Sequence, residues 1–243
     1  MLSQLFNTLQ LKALALTCEP CAACGLTLFL RLAEDETAVR CVRCRATPVH
    51  LAVIQAMVAT MGRNIGLLSV YEMSSRGPLL DFLRKRCGAV TTSEYFPDVS
   101  PGSFVGGVIS EDVQQLTFSD ATFDVCTSTE VFEHVPDDMA GFRELVRVLK
   151  PGGCFIFTVP LTGALVTVER CTFVDGQLTH LHPPAYHGDR LNGAKSVLVF
   201  RDYGEDVVSR LVTAGFQTAR LVKSSRTYFG YARTAIIAIT PPA

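Results

Sequence analysis

The chain has 243 residues, 48% hydrophobic, 19% charged and 9% aromatic with no tryptophan, enough for one aliphatic core with a small appendage and too apolar for a disordered or fibrous chain. Its formal net charge of −1 lacks the basic surplus that draws proteins to nucleic acid or anionic membranes. No apolar stretch approaches the roughly 18 residues that a membrane-spanning helix needs.

At the N terminus, Leu2, Leu5, Phe6 and Leu9 recur at helical spacing and predict a short amphipathic helix packed on the body. Lys12 is the one basic residue among the first 17, and it follows the start of the apolar positions. The basic n-region of a secretory signal is therefore not expected.

Two CxxC pairs follow, Cys21-Ala-Ala-Cys24-Gly25 and Cys41-Val-Arg-Cys44, separated by 16 residues. This spacing suits a four-cysteine zinc ribbon, in which each knuckle turns two thiolates toward one ion. Cys18 offers a competing pair with Cys21. Gly25 favours Cys21 with Cys24, because a knuckle usually wants a permissive backbone after its second thiol. Arg45 stands where the second knuckle would carry its glycine. Four thiolate ligands leave no open position, so the expected role of Zn2+ is structural, with unliganded cysteines as the alternative. A redox site would need only one of the two pairs. Cys87, Cys126, Cys154 and Cys171 are scattered through apolar segments and read as buried free thiols in a reducing, cytoplasmic compartment.

The expected organisation is a helix and cysteine module over 1–45, a linking helix over 46–62, and a main domain over 63–243. In the main domain, strands are expected at 65–72, 88–93, 106–110, 123–128 and 153–160, with later ones near 217–223 and 232–240. Helices are expected at 78–87, 137–149 and 204–214. In the middle helix, Phe142, Leu145, Val146 and Leu149 make an apolar face opposite Arg143, Glu144 and Arg147. Alternating strands and helices predict an α/β fold with a doubly wound, mostly parallel seven-stranded sheet. The segment 161–203, rich in His, Pro and Gly, breaks this rhythm as an insertion.

Between Glu111 and Gly153 an acidic pair is followed by the Phe123-Asp124 strand and a Glu-His elbow at Glu133-His134. A helix then stops at Pro151-Gly152-Gly153, before the apolar run Cys154 to Val159. In order and spacing these pieces resemble the class I S-adenosylmethionine-dependent methyltransferases, in particular the type 11 group. The resemblance implies a Rossmann-like sheet with the cofactor at the carboxyl ends of adjacent parallel strands. It covers roughly 63–243, is strongest over 90–160 and is thin beyond 161.

The family's first cofactor loop usually reads acid-x-Gly-x-Gly-x-Gly. Here it reads Glu72-Met73-Ser74-Ser75-Arg76-Gly77-Pro78, with Ser, Arg and Pro at the expected glycines and Gly77 the one glycine present. Ser74 is small enough for a close approach of the methionine part of the cofactor. Arg76 either pairs with the cofactor's carboxylate or is solvated. Glu94 follows Glu72 by 22 residues, near the spacing at which an acid meets ribose hydroxyls in dinucleotide folds. By resemblance, Asp112 takes the adenine amino group, Val113 supplies a backbone contact, and Thr127 to Glu130 lie beneath the sulfonium.

Methyl transfer from a sulfonium is an in-line displacement with a good, neutral leaving group. The protein mainly aligns the acceptor and, where needed, removes its proton. Histidine suits that task near neutral pH. His180, His182 and His187 all fall in the insertion, where the fold commonly walls the acceptor pocket. His187 with Asp189 would form an oriented base, with His134 a second candidate and His182 and Tyr186 lining the acceptor. Loop pinning by these side chains, and a metal held by the three insertion histidines with an acid, are the alternatives.

The leading reading is methylation of an oxygen or nitrogen of a small-molecule or carbohydrate-like acceptor. Some rRNA base methylases also place a zinc ribbon ahead of this fold, but residues 1–63 carry six Lys/Arg and four Asp/Glu, too little for a phosphate-binding stripe. Nucleic acid and membrane are therefore not expected partners. A non-catalytic binding protein is the third reading, motivated by the altered first loop. The cysteine module can also serve a homo-oligomer or partner docking in any of these cases.

Overall fold

The computed structural model describes residues 14–188 and 196–243. The N-terminal helix expected around Leu2 to Leu9 and the candidate Asp189 lie outside the described residues.

The described residues begin with an antiparallel sheet of β1 (Ala15–Cys21), β2 (Gly25–Arg31) and β3 (Val39–Cys41). Helix α1 (Pro48–Met61) buries residues on nearly every side, including Leu51, Val53, Ile54 and Met57, as expected of a helix apolar all round. A 3-10 turn over Gly62–Leu67 then redirects the chain. The first strand of the main sheet, β4 (Ser69–Glu72), is therefore shorter than its apolar run suggested.

Helix α2 (Pro78–Arg86), β5 (Ala89–Glu94), β6 (Phe104–Val105), β7 (Val108–Ser110), β8 (Phe123–Thr129), α3 (Asp138–Val148) and β9 (Leu149–Thr158) follow in order. The insertion supplies short strands β10 (Val168–Glu169), β11 (Cys171–Val174), β12 (Gln177–His180), β13 (Tyr186–Gly188), β14 (Ser196–Leu198) and β15 (Arg201–Asp202). The chain closes with α4 (Val207–Ala214), β16 (Thr218–Lys223) and β17 (Thr234–Ile239).

The main sheet has eight strands in the order β16-β17-β9-β8-β4-β5-β7-β6. Pairings among β9, β8, β4, β5 and β7 are parallel, and β17 enters antiparallel to both β9 and β16. The strand beyond the expected seven is β6, two residues folded back on β7 at the edge.

The central strands are buried on both faces, which explains their near-continuous apolar runs. Along β9, Phe155 and Phe157 face one core with Phe142 and Leu145 of α3 and Leu211 of α4. Cys154 and Ile156 face the other, with Val53, Ile54 and Met57 of α1 and Phe82 of α2. Sheet alternation thus assigns successive side chains of one strand to two different cores. A third cluster joins Cys21, Phe29 and Cys41 of the cysteine module to Leu51 of α1 and Tyr228, with the Phe29 and Tyr228 rings 4.1 Å apart. Among the described residues no helix is long and apolar enough to cross a membrane.

Candidate active site

The parallel strands β4, β5, β7 and β8 end on the same side of the sheet, and a cleft of about 660 Å³ opens there. Glu94, at the end of β5, lines it. Its Oε1 accepts from the Ser75 amide (2.7 Å), the Ser75 hydroxyl (2.8 Å) and the Ser74 hydroxyl (3.3 Å). The glycine-poor first loop is thereby tied to the neighbouring strand by its own serines. Gly77 takes φ +113° just before Pro78 opens α2, a conformation that a side chain would strain. The loop's single glycine thus stands where the backbone demands one.

Glu72 is 2% exposed and accepts from the Thr127 hydroxyl on the next strand. Burial pushes its pKa up to about 8, against the pull of that hydrogen bond. Asp112 lines the cleft and accepts from the Gln114 amide (2.9 Å) and side chain (3.0 Å). Beside it Glu111 is 3% exposed and accepts from the Thr117 amide (3.0 Å), which gives that acid a structural task. Val113 and Ser74 also face the cleft, while Thr127 is fully buried beneath it and Arg76 is exposed outside it.

The elbow after β8 forms the other wall. Glu130 has φ +53°, a strained value for a residue with a side chain. Its Oε2 accepts from Arg233 Nη2, whose Nη1 reaches Glu36 of the cysteine module at 2.7 Å. Partial burial and, secondarily, Glu133 raise the Glu130 pKa to about 7. Glu133 is 1% exposed, and neither of its carboxylate oxygens has a hydrogen-bond partner among the described residues.

The insertion is fastened to this elbow. Arg201 is 2% exposed and donates to the carbonyls of Phe132 (3.0 Å), Val135 (2.6 Å) and Pro136 (2.7 Å). The Phe200 amide donates to the Glu133 carbonyl at 2.7 Å. Tyr186 pairs with Leu198 across β13 and β14, and His134 Nδ1 lies 2.8 Å from the Leu198 carbonyl. His187 consequently meets His134 edge to face, ring centroids 5.0 Å apart. The Glu133 carboxylate beside His187 raises its pKa above the ordinary imidazole value.

The structure therefore brings His187 against His134, which lines the cleft along with Glu94, Asp112, Val113 and Ser74. His182, Tyr186 and His187 are exposed and do not line the cleft themselves. Phe200 is 7% exposed and lines it, whereas Tyr203 is core and donates to Asp138 at 2.8 Å. Sequence reasoning passed over Glu133 as a partner of His187 and Arg201 as the anchor. A signal for the first was the Glu130-x-x-Glu133-His134 run itself.

In the cysteine module, Cys21 Sγ lies 3.6 Å from Cys44 Sγ, Cys24 Sγ lies 3.5 Å from Cys41 Sγ, and all four sulfurs fall within 4.8 Å of one another. A tetrahedral zinc with bonds of about 2.3 Å sets its sulfurs about 3.8 Å apart, so the quartet fits such an ion. Gly25 and Arg45 follow the second thiol of each knuckle and both adopt left-handed φ, +83° and +63°. Cys18 is an exposed free thiol and is not part of the quartet.

Residues 74–157 match the type 11 methyltransferase family, described as a methyltransferase domain. A protein of Mycolicibacterium smegmatis named as a probable S-adenosylmethionine-dependent methyltransferase is 32% identical over 106 residues, covering 44% of this chain and 33% of the relative. A ubiquinone biosynthesis O-methyltransferase of Coxiella burnetii is 28% identical over 120 residues, covering 46% of this chain and 49% of the relative. The chain thus spans half or less of the length of these curated relatives. The crystal structure of an S-adenosylmethionine-dependent methyltransferase from Mesorhizobium loti superposes with a TM-score of 0.50 at 16% identity, covering 77% of this chain and 98% of that one. At that identity the likeness concerns the fold.

Proposed function

We propose that this chain, which carries a class I S-adenosylmethionine-dependent methyltransferase domain, transfers a methyl group to an oxygen or nitrogen of a small-molecule or carbohydrate-like acceptor. The observation that carries the reading is the cleft at the carboxyl ends of the parallel strands, with Glu94 and Asp112 both on its wall.

In this reading Glu94 accepts from the ribose hydroxyls, and its grip on Ser74 and Ser75 holds the first loop open for the methionine part. Asp112 takes the adenine amino group beside Val113. Glu72 and Thr127 act from below, as a buried pair that sets the ends of β4 and β8. Gly77 shapes the loop, and Arg76 would reach the cofactor's carboxylate only by swinging in from its exposed position outside the cleft. The acceptor lies toward Val131, His134 and Phe200, where His134 and His187 are the groups able to take its proton. The O-methyltransferase among the relatives is compatible with an oxygen acceptor. The four cysteines Cys21, Cys24, Cys41 and Cys44 hold structural Zn2+ on their fit to a tetrahedral ion.

Calorimetric titration of the zinc-loaded protein with S-adenosylmethionine tests the assignment. Binding on the order of micromolar is expected in the parent, and its loss in Asp112→Ala and Glu94→Ala. No heat in the parent would sink the enzyme reading and move attention to partners of the cysteine module.

A further inference from the structure

We propose that Glu133, His134 and His187 form a site for a divalent first-row transition-metal cation at the acceptor end of the cleft. It is separate from the four-cysteine cluster.

The three ligand atoms lie within 4.8 Å of one another. Glu133 Oε1 stands 3.6 Å from His134 Nε2 and 3.6 Å from His187 Nδ1. These gaps are too long for direct hydrogen bonds. They do suit a shared ion, since two atoms each about 2.1 Å from a metal lie about 3.0 to 4.2 Å apart.

Glu133 supplies the independent reason to expect a cation. It is 1% exposed, and both of its oxygens lack hydrogen-bond partners among the described residues. A buried carboxylate is tolerated when paired or metal-bound and is costly otherwise. Glu130, three residues earlier, also has an unpartnered Oε1, its other oxygen being held by Arg233.

His134 is already oriented as a ligand. Its Nδ1 lies 2.8 Å from the Leu198 carbonyl, which can only accept, so Nδ1 carries the proton. In the neutral ring Nε2 then holds the lone pair, and Nε2 is the atom facing Glu133. An outer hydrogen bond of this kind commonly fixes the tautomer of metal-bound imidazoles. His187, with 45% of its side chain exposed, gives the ion a route in from solvent.

Two imidazoles and one carboxylate make a mixed set that suits Mn2+, Fe2+ or Zn2+ better than Mg2+ or Ca2+. Three protein ligands also leave coordination positions open, and His134 and Leu198 line the cleft that those positions would face. Resting on the methyl-transfer reading, this narrows the acceptor to a hydroxyl-bearing molecule that reaches the ion through oxygen. That oxygen's lone pair would form the new C–O bond as the S–C bond breaks. The S–C electron pair stays on sulfur as a neutral thioether, and with the lone pairs of His134 and His187 engaged by the ion the hydroxyl proton leaves to water instead of to either imidazole.

The test uses the full chain loaded with one equivalent of zinc, which the thiolates take first. Mn2+ is then titrated in and followed by loss of the free-ion paramagnetic resonance signal. One bound Mn2+ per chain is expected, weakened about tenfold or more in His187→Ala and in Glu133→Gln. His187→Ala sits on an exposed hairpin, so its melting temperature should match the parent's. No Mn2+ binding, or binding unchanged in both variants, would overturn the site and leave Glu133 paired with a protonated His187. S-adenosylmethionine titration on the same samples separates the two ideas. Failure there removes the methyltransferase reading, whereas the metal site stands or falls on the Mn2+ signal.

Discussion

The cysteine quartet and the Glu133–His134–His187 cluster are built in opposite ways. The first draws four identical soft ligands from two knuckles of one small sheet, with every sulfur 3.5–3.6 Å from a partner sulfur. The second joins an elbow after β8 to a hairpin of the insertion, with Leu198, Phe200 and Arg201 bonded to that elbow. A closed, local cluster announces itself by spacing, whereas an open cluster facing a cleft is assembled by the fold. Arg233 stands between them, bonded to Glu36 on one side and Glu130 on the other.

The largest expected effect comes from stripping the thiolate site. Cys44→Ser or chelation should remove on the order of 10 kcal/mol of metal-coupled folding energy from the module. Hydrogen exchange should then accelerate across β1 to β3 while the main sheet stays protected. Loss of protection in both regions would mean that the module and the cleft fold as one unit.

Next is Arg201→Ala. It leaves three carbonyls of the elbow without their donor and Asp138 without one of its cations, at a cost of about 3–5 kcal/mol. A urea denaturation midpoint close to the parent's would show that the insertion does not depend on this anchor.

Glu72→Gln separates the cofactor end from both clusters through pH. The folded pKa of Glu72 is raised from 4.5 to about 8, so its neutral form favours folding. That stability is fully present below pH 4.5 and is lost as pH rises through about 8. The glutamine variant should therefore gain melting temperature relative to the parent across that window. A constant difference would place the charge of Glu72 in a better-solvated setting.

The smallest effect compares the two knuckles. Arg45→Gly should stabilise by about 0.5–1 kcal/mol and Gly25→Ala should cost about 1 kcal/mol, because both positions are left-handed. Thermal melts of the two zinc-loaded variants would show the opposite signs.

Much of the fold was legible because its strands are buried on both faces. Runs such as Cys154 to Val159 carry that burial in their composition. The short β4 was harder, since Ile65, Leu67 and Leu68 lead into the strand as a continuation of its apolar pattern. In the candidate site, Glu94 and Asp112 were readable as acids at strand ends. Asp189, two residues on, singled out His187 among the histidines of the insertion, but nothing local pairs it with His134 and Glu133, which lie over 50 residues earlier.

The sequence by itself determined the doubly wound sheet, the four clustered thiols and the acids at the strand ends. Each of these rests on a short-range regularity: alternation, ligand spacing, or the end of an apolar run. Only the tertiary structure decided that Gly77 alone meets the first loop's backbone demand, with Ser74 and Ser75 tying that loop to Glu94. It likewise decided that a buried Glu133 without a hydrogen bond on its carboxylate faces His134 and His187. Those pairings depend on where the insertion packs, and its docking is set by the buried guanidinium of Arg201 and backbone hydrogen bonds far apart in the chain.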